Sequence, residues 1–234
     1  MESLTQSFIT ALALIVGVDE SLLTVMGLSL QVSLGAVVCA SLIGFPVGAL
    51  VAVGDFPGRR LATVTLNALI GLPAVVVGLL VYLMLSRSGP LGSLGLLFTP
   101  TAMVIAQTVL IAPLVAALAR QVIEDAWREY HEQLVSLGAR RPRASLTLMW
   151  DTRFSLATVV LVGFGRAVAE VGTVMIVGGN IAGVTRTMTT TIALETSKGD
   201  LPLAMALGIV LVAVVFLMNG LAYLMREWSM KHYG

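Results

Sequence analysis

Residues Leu22–Val53 read LLTVMGLSLQVSLGAVVCASLIGFPVGALVAV and contain no Asp, Glu, Lys or Arg. A helix needs about 20 apolar residues to cross a hydrocarbon core about 30 Å thick, so this stretch is long enough to span a membrane. Gly44, Pro46 and Gly48 near its end favour a tilt or a kink over two separate crossings. The stretch therefore predicts one membrane-spanning helix.

Four further windows are similar to this stretch in length and apolar character. They cover residues 61–85, 101–119, 154–177 and 202–225. Of the 234 residues, 57% are hydrophobic and 12% are charged, whereas soluble domains carry about 25% charged residues. We therefore predict an all-α polytopic membrane protein with five transmembrane helices in a single domain, residues 1–234.

The apolar segment 8–18 precedes these windows and is too short to cross a bilayer. Asp19 and Glu20 follow it directly. Because an apolar segment beside charged residues is stable at the membrane surface, we expect an N-terminal interfacial helix in the surrounding lipid. A sixth span is the alternative.

The distribution of basic residues predicts the orientation. Cytoplasmic loops carry an excess of Lys and Arg, and no Lys or Arg occurs before Arg59. With the N-terminus outside and the C-terminus in the cytoplasm, most basic residues fall inside the cell. The exceptions are Arg87, Arg186, Lys198 and, within a span, Arg166. We therefore expect a multi-pass protein of the cell membrane whose basic residues report topology rather than nucleic-acid binding.

The predicted cytoplasmic loop, residues 120–150, is the most charged part of the chain. Apolar residues recur there at steps of three and four and predict an amphipathic helix. They are Ile123, Trp127, Tyr130, Leu134 and Leu137. Gly138 predicts the end of this helix, and Pro142 predicts the first turn of a second one. The spacing leaves two interpretations open, since the apolar stripe could dock to a partner protein or lie on the membrane surface.

The fourth window contains FGRAVAEVG, residues 164–172, with Arg166 and Glu170 four positions apart. Charges at membrane depth cost about 2.5 to 3.5 kcal/mol on insertion scales, so they face a bundle interior or a water-filled path. The spacing allows the two side chains to pair on one helix. Three roles remain open: a cationic wall of an anion path, an ion pair that rearranges as a gate, or a fixed structural pair.

Glycines and hydroxyl side chains dominate the following segment, residues 178–200, which reads GGNIAGVTRTMTTTIALETSKGD. Neutral N–H and O–H donors can bind a tetrahedral oxyanion weakly enough to release it again. The candidate pathway residues here are Asn180, Thr185, Arg186, Thr189 and Thr190. The alternative interpretation is an extracellular loop with a threonine-capped helix.

The sequence offers no residues for catalysis or metal binding. Its lysines, Lys198 and Lys231, follow no glycine-rich phosphate loop, and its histidines, His131 and His232, belong to no cluster of metal ligands. We therefore expect no catalytic residue, no metal and no cofactor on this chain.

Residues 132–138, EQLVSLG, resemble the EAA signature of ABC importer permeases. Glu132, Gly138 and the apolar Leu148 match the signature, whereas Gln133 and Leu134 replace its alanines. The resemblance implies a coupling helix that contacts a cytoplasmic ATPase. The coupling residues it implies are Glu132, Gln133, Leu134, Leu137, Gly138, Ala139 and Leu148.

Residues 163–200 resemble the permeases of molybdate and tungstate importers. The elements VGGNI, TRTMTT and ALETSKGD are more similar to the tungstate branch. The resemblance implies a type I (MetI-like) ABC importer permease fold, acting as a homodimer with two ABC ATPase subunits that use ATP and Mg²⁺. An extracytoplasmic oxyanion-binding protein is expected to deliver the cargo, which is tungstate or, alternatively, molybdate or another oxyanion.

An ion-coupled secondary anion carrier is the competing function. In such a carrier, Arg166 and Glu170 would form a substrate and proton relay. Carriers of this kind usually contain two similar halves, and no internal repeat is evident in the five windows.

Overall fold

The computed structural model describes residues 20–233 together with the single residue Ile9, so apart from that residue the predicted interfacial helix at 8–18 lies outside the described residues. In the described part, the regular secondary structure is helical throughout, which confirms the all-α prediction. The helices are α1 (Glu20–Val53), α2 (Arg59–Leu69), α3 (Ala74–Leu85), α4 (Pro100–Ser136), α5 (Arg141–Asp151), α6 (Arg153–Val168), α7 (Gly172–Gly178), α8 (Met188–Lys198) and α9 (Leu201–Tyr233), with a 3-10 turn at Gly92–Leu94.

Three of the described helices, α1, α4 and α9, are long and apolar enough to cross a membrane. Two bent pairs, α2 with α3 and α5 with α6, raise the number of spans to five if each pair is one span. The two helices of a pair meet at 100° in the first and at 74° in the second. Length and composition therefore agree with a polytopic protein of up to five spans.

The window 61–85 is not the continuous helix that its apolar composition predicts. Gly71 and Pro73 lie in the break, and a residue that precedes proline is biased away from helical geometry. Helix α3 then packs closely on α7, since a Cβ at Gly78 would lie 3.0 Å from the Thr173 Cα. The Thr173 hydroxyl donates to the Ala74 carbonyl oxygen at 2.8 Å. The break thus lets α3 leave the direction of α2 and join the core.

Helices α1 and α4 form the centre of the molecule. Helix α1 continues through Pro46, and its glycines allow close packing on α4. A Cβ at Gly48 would lie 2.6 Å from the Ala116 carbonyl oxygen, and a Cβ at Gly44 would lie 2.8 Å from the Val115 side chain. These glycines therefore serve the contact between two helices.

Helix α4 joins the predicted third span and the predicted amphipathic helix into one helix of 37 residues. At 1.5 Å per residue it is about 55 Å long, far more than a hydrocarbon core of about 30 Å. We call its residues 120–136 the arm. The arm ends as predicted, because Gly138 has a left-handed φ of 70° and α5 begins with Pro142 in its first turn.

The apolar stripe of the arm packs against the chain itself. Ile123 is fully buried, and Trp127, Tyr130 and Leu134 are partly buried. They share a cluster with Ala49, Ala52 and Val53 of α1, Leu148 of α5 and Leu156 of α6. Leu137 is the exception, since it is 81% exposed. Neither interpretation offered by the spacing, a docking stripe or a membrane-surface stripe, describes this arrangement.

Candidate functional site

The candidate coupling residues surround the turn from α4 to α5. Glu132, Gln133, Leu137 and Gly138 are exposed, and Leu134 and Ala139 are partly buried. Leu148 is only 2% exposed and belongs to the core cluster under the arm. The turn can therefore present the exposed Glu132, Gln133, Leu137 and Gly138 to a partner. The buried Leu148 instead holds α5 against the core.

Exposed apolar side chains near this turn extend the candidate surface beyond the motif residues. Val135 is 55% exposed beside Leu137, and Leu146 and Trp150, four positions apart on α5, are 66% and 73% exposed. Large exposed apolar groups in a charged loop favour a protein contact. Sequence reasoning did not select these three because Val135 and Leu146 match no residue of the signature and Trp150 replaces its usual Leu, although their apolar character in a polar segment was a usable signal.

Tyr130 of the arm lies among acidic side chains. The negative charge of Glu129 raises the pKa of the Tyr130 phenol above its ordinary value of 10.0, with smaller contributions from removal from water and from Asp151. The phenol is therefore uncharged at physiological pH.

The candidate gate residues Arg166 and Glu170 do pair, with Nη1 donating to Oε2 at 2.9 Å. The expected single helix is not present, because α6 ends at Val168 and α7 begins at Gly172. Glu170 is 5% exposed, and its other carboxylate oxygen accepts the backbone N–H of Thr173 at 3.2 Å. The carboxylate therefore links the end of α6 to the first turn of α7.

The break between α6 and α7 is held by side chains from other helices. Gln107 of α4 donates its amide to the Ala167 carbonyl oxygen at 3.0 Å. Thr189 of α8 donates its hydroxyl to the Glu170 carbonyl oxygen at 3.0 Å. The Ala167 carbonyl lies in the last turn of α6 and the Glu170 carbonyl lies in the break, so the two bonds attach this stretch of backbone to α4 and α8.

The candidate pathway threonines are buried and hydrogen-bonded within the protein. The Thr185 hydroxyl donates to the Gly178 carbonyl oxygen at 2.6 Å. Thr187 and Thr190 form a capping box at the start of α8, which confirms the threonine-capped helix. Together with Thr189, these hydroxyls fix the loop 178–187 against the break, and those of Thr185, Thr189 and Thr190 each donate to a carbonyl oxygen in this conformation.

Asn180 and Arg186 differ from the threonines. The Asn180 Oδ1 and the Arg186 Nε are buried and have no partner among the described residues. The Arg186 Nη2 donates to the Asn180 backbone carbonyl oxygen at 3.4 Å, and Asn180 has a left-handed φ of 51°. Of the pathway candidates in this loop, these two retain unused polar atoms.

A polar cavity of about 10 Å³ lies beside the break. Its lining includes Ser33, Gln107, Glu170, Thr187 and Thr189. About 10 to 15 Å³ accommodates one water molecule, so this cavity is too small for a tetrahedral oxyanion. The polar groups at the break do not enclose an oxyanion site within one copy of the chain.

Comparison with known proteins gives matches over nearly the whole chain. The Tungstate uptake system permease protein TupB of Peptoclostridium acidaminophilum is 39% identical over 97% of this chain and 100% of its own length. The protein of the same name from Campylobacter jejuni is 37% identical over 97% of this chain and 95% of its own. A probable anion ABC transporter permease protein of Haloferax volcanii is 37% identical over 88% and 91%. No protein-family model matches.

Proposed function

This chain belongs to the ABC transporter permease family that includes the tungstate uptake permeases, and from that premise we propose that it imports tungstate into the cytoplasm. The 39% identity over the full length of a tungstate uptake permease carries the assignment. The relatives are transport permeases, so the chain is a multi-pass membrane protein whose own function is transport rather than catalysis.

Uptake systems of this kind use a binding protein and an ATPase. For this chain we propose two ABC ATPase subunits at the turn from α4 to α5 and an extracytoplasmic oxyanion-binding protein on the opposite side of the membrane. The exposed Glu132, Leu137 and Gly138, with Val135 beside them, support the first contact. ATP and Mg²⁺ belong to the ATPase, and the chain itself needs no cofactor.

The path for the anion is proposed to form between two copies of the chain. The cavity of about 10 Å³ beside the break is too small for the cargo. The Arg166 side chain is 41% exposed, so part of its guanidinium is available to a surface that a second copy would enclose. Arg166 would then attract the dianion together with the cationic Arg186, and the neutral amide N–H group of Asn180 would bind it weakly enough to allow its release.

Transport follows alternating access. ATP binding closes the ATPase pair and displaces the turn after α4. Because the arm is continuous with the membrane part of α4 and packs on α1, α5 and α6, its displacement changes the relative positions of these helices. Hydrolysis returns the helices, with the N-terminus outside and the C-terminus in the cytoplasm throughout.

Tungsten accumulation in cells that lack other tungstate uptake tests the proposal. We expect uptake only when the chain, its ATPase and its binding protein are produced together, and weak competition by excess molybdate or sulfate. Equal competition by molybdate would favour the molybdate alternative. Uptake by this chain alone, driven by a proton gradient, would overturn the proposal in favour of the secondary carrier.

A further inference from the structure

Glu124, near the start of the arm, accepts hydrogen bonds from three arginines. The Arg59 Nη2 lies 3.1 Å from its Oε1, and the Arg128 Nη2 lies 3.2 Å from the same atom. The Arg120 Nη1 donates to Oε2. The Glu124 side chain is 17% exposed and Arg120 is 8% exposed. One mostly buried carboxylate therefore binds three positive charges, of which Arg120 is buried, Arg59 is partly exposed and Arg128 is exposed.

Arg59 is the member that comes from another helix. It is the first residue of α2, and it also donates Nε to the Val51 carbonyl oxygen and Nη2 to the Ala52 carbonyl oxygen, each at 2.8 Å. These are unpaired carbonyl groups at the C-terminal end of α1, where a positive charge is favoured. A single guanidinium thus joins the end of α1, the start of α2 and the arm of α4.

The cluster lies between the membrane part of α4 and the turn that would meet the ATPase. Glu124 precedes Glu132 by eight residues, a distance of about 12 Å along a helix. The apolar stripe already holds the arm to α1, α5 and α6, but it includes no residue of α2. Through the Arg59–Glu124 contact, a displacement of the arm acts directly on α2.

We propose that the Arg59–Glu124 contact is a positioning contact that transmits movement of the arm to α1 and α2. The inference rests on the proposed function, since it needs an ATPase at the turn. In the proposed function, neither residue is assigned to the anion path or to the nucleotide. Loss of the Arg59–Glu124 contact should therefore reduce transport while ATP hydrolysis continues.

The test compares two arginines that bind the same carboxylate oxygen. Arg59→Met removes the link between helices, whereas Arg128→Met removes a pair within α4 and serves as the matched control. Each variant is purified with the ATPase and the binding protein and reconstituted in vesicles. Tungstate uptake and ATP hydrolysis are measured together.

We expect Arg59→Met to assemble and to hydrolyse ATP at the wild-type rate, while tungstate imported per ATP falls about tenfold, a typical size for coupling between sites. Arg128→Met should keep the wild-type ratio. Arg59→Lys keeps the charge and should restore part of the ratio, which a loss of packing alone would not predict.

Three results would overturn the inference. One is a wild-type ratio in Arg59→Met, and another is an equal loss in Arg128→Met. If Arg59→Met does not assemble, Arg59→Gln takes its place, and failure of both to assemble would make Arg59 purely structural. Wild-type protein that binds no ATPase would instead refute the proposed function.

Discussion

The arm of α4 and the break between α6 and α7 each contain an arginine–glutamate pair at a spacing of four, yet the two pairs are built differently. Arg120 and Glu124 lie on one continuous helix, and Arg59 adds a contact from outside. Arg166 and Glu170 bridge a helix end, and the same carboxylate starts the next helix through Thr173. Identical spacing therefore supports an uninterrupted helix in one region and a helix break in the other.

The two regions also differ in what surrounds the charge. Glu124 has three arginine partners, so the loss of one leaves two. Glu170 is 5% exposed and has Arg166 as its partner in an ion pair. We therefore expect the removal of one charge to lower the free energy of unfolding less at the arm than at the break.

The largest effect is expected at the turn that ends the arm. Gly138 has a φ of 70°, and a β-branched residue in that conformation costs roughly 1–2 kcal/mol or shifts the turn. We expect Gly138→Val to insert normally and to lose tungstate uptake almost completely, because the surface offered to the ATPase is displaced. Uptake of labelled tungstate checks this.

Gly208→Ala is a suitable control for Gly138→Val. Gly208 lies within α9, and a Cβ there would meet nothing within 4 Å. Its uptake should match that of the wild type. Normal uptake in Gly138→Val would remove the coupling role from the turn.

Removal of one arginine from each pair tests the comparison directly. Arg166→Met leaves a buried carboxylate without a charged partner, and we expect a loss of about 2–3 kcal/mol in the free energy of unfolding, reduced from the full cost of a buried pair by the exposure of Arg166. Arg120→Met should cost below about 1 kcal/mol, since Glu124 keeps two partners. Denaturant titration of both variants in detergent measures the difference, and equal losses would contradict the contrast.

The same Arg166 variant addresses transport. We expect Arg166→Met to reduce uptake without preventing association of two copies, as measured by cross-linking in the membrane. Full uptake despite lowered stability would make the Arg166–Glu170 pair a fixed structural contact with no role in the path.

Among the variants at the break, the smallest effect is expected at Thr189. Thr189→Val removes one buried hydrogen bond to the Glu170 carbonyl oxygen and should lower the free energy of unfolding by about 1 kcal/mol. Thr196→Val is the control, because the exposed Thr196 hydroxyl donates within its own helix. An equal change in both variants would show that Thr189 does not support the break.

Local sequence signals predicted the helical class and several helix ends. Gly138 marked the end of α4 because left-handed geometry favours glycine, and Pro142 marked the start of α5 because proline fits a first helical turn. Both signals depend on the residue itself and its neighbours. The pairing of Arg166 with Glu170 was predictable for the same reason.

Long-range contacts were not predictable in this way. The break after Val168 contains no proline, and it depends on Gln107 and Thr189, which lie far away in sequence. Likewise, the periodicity of Ile123 to Leu134 showed that these residues share a face, but it could not show that α1, α5 and α6 cover it. A single sequence shows which residues lie together on a helix and leaves open what packs against them.

The continuity of α4 restricts which insertions and deletions the protein can accept. Each residue added between Ala119 and Glu132 would rotate everything beyond it by about 100° and advance it by about 1.5 Å. One insertion would therefore rotate the turn between α4 and α5 away from the ATPase, even though every contact of the residues before the insertion survived. The number of residues in this segment is consequently as much a part of its design as their identity.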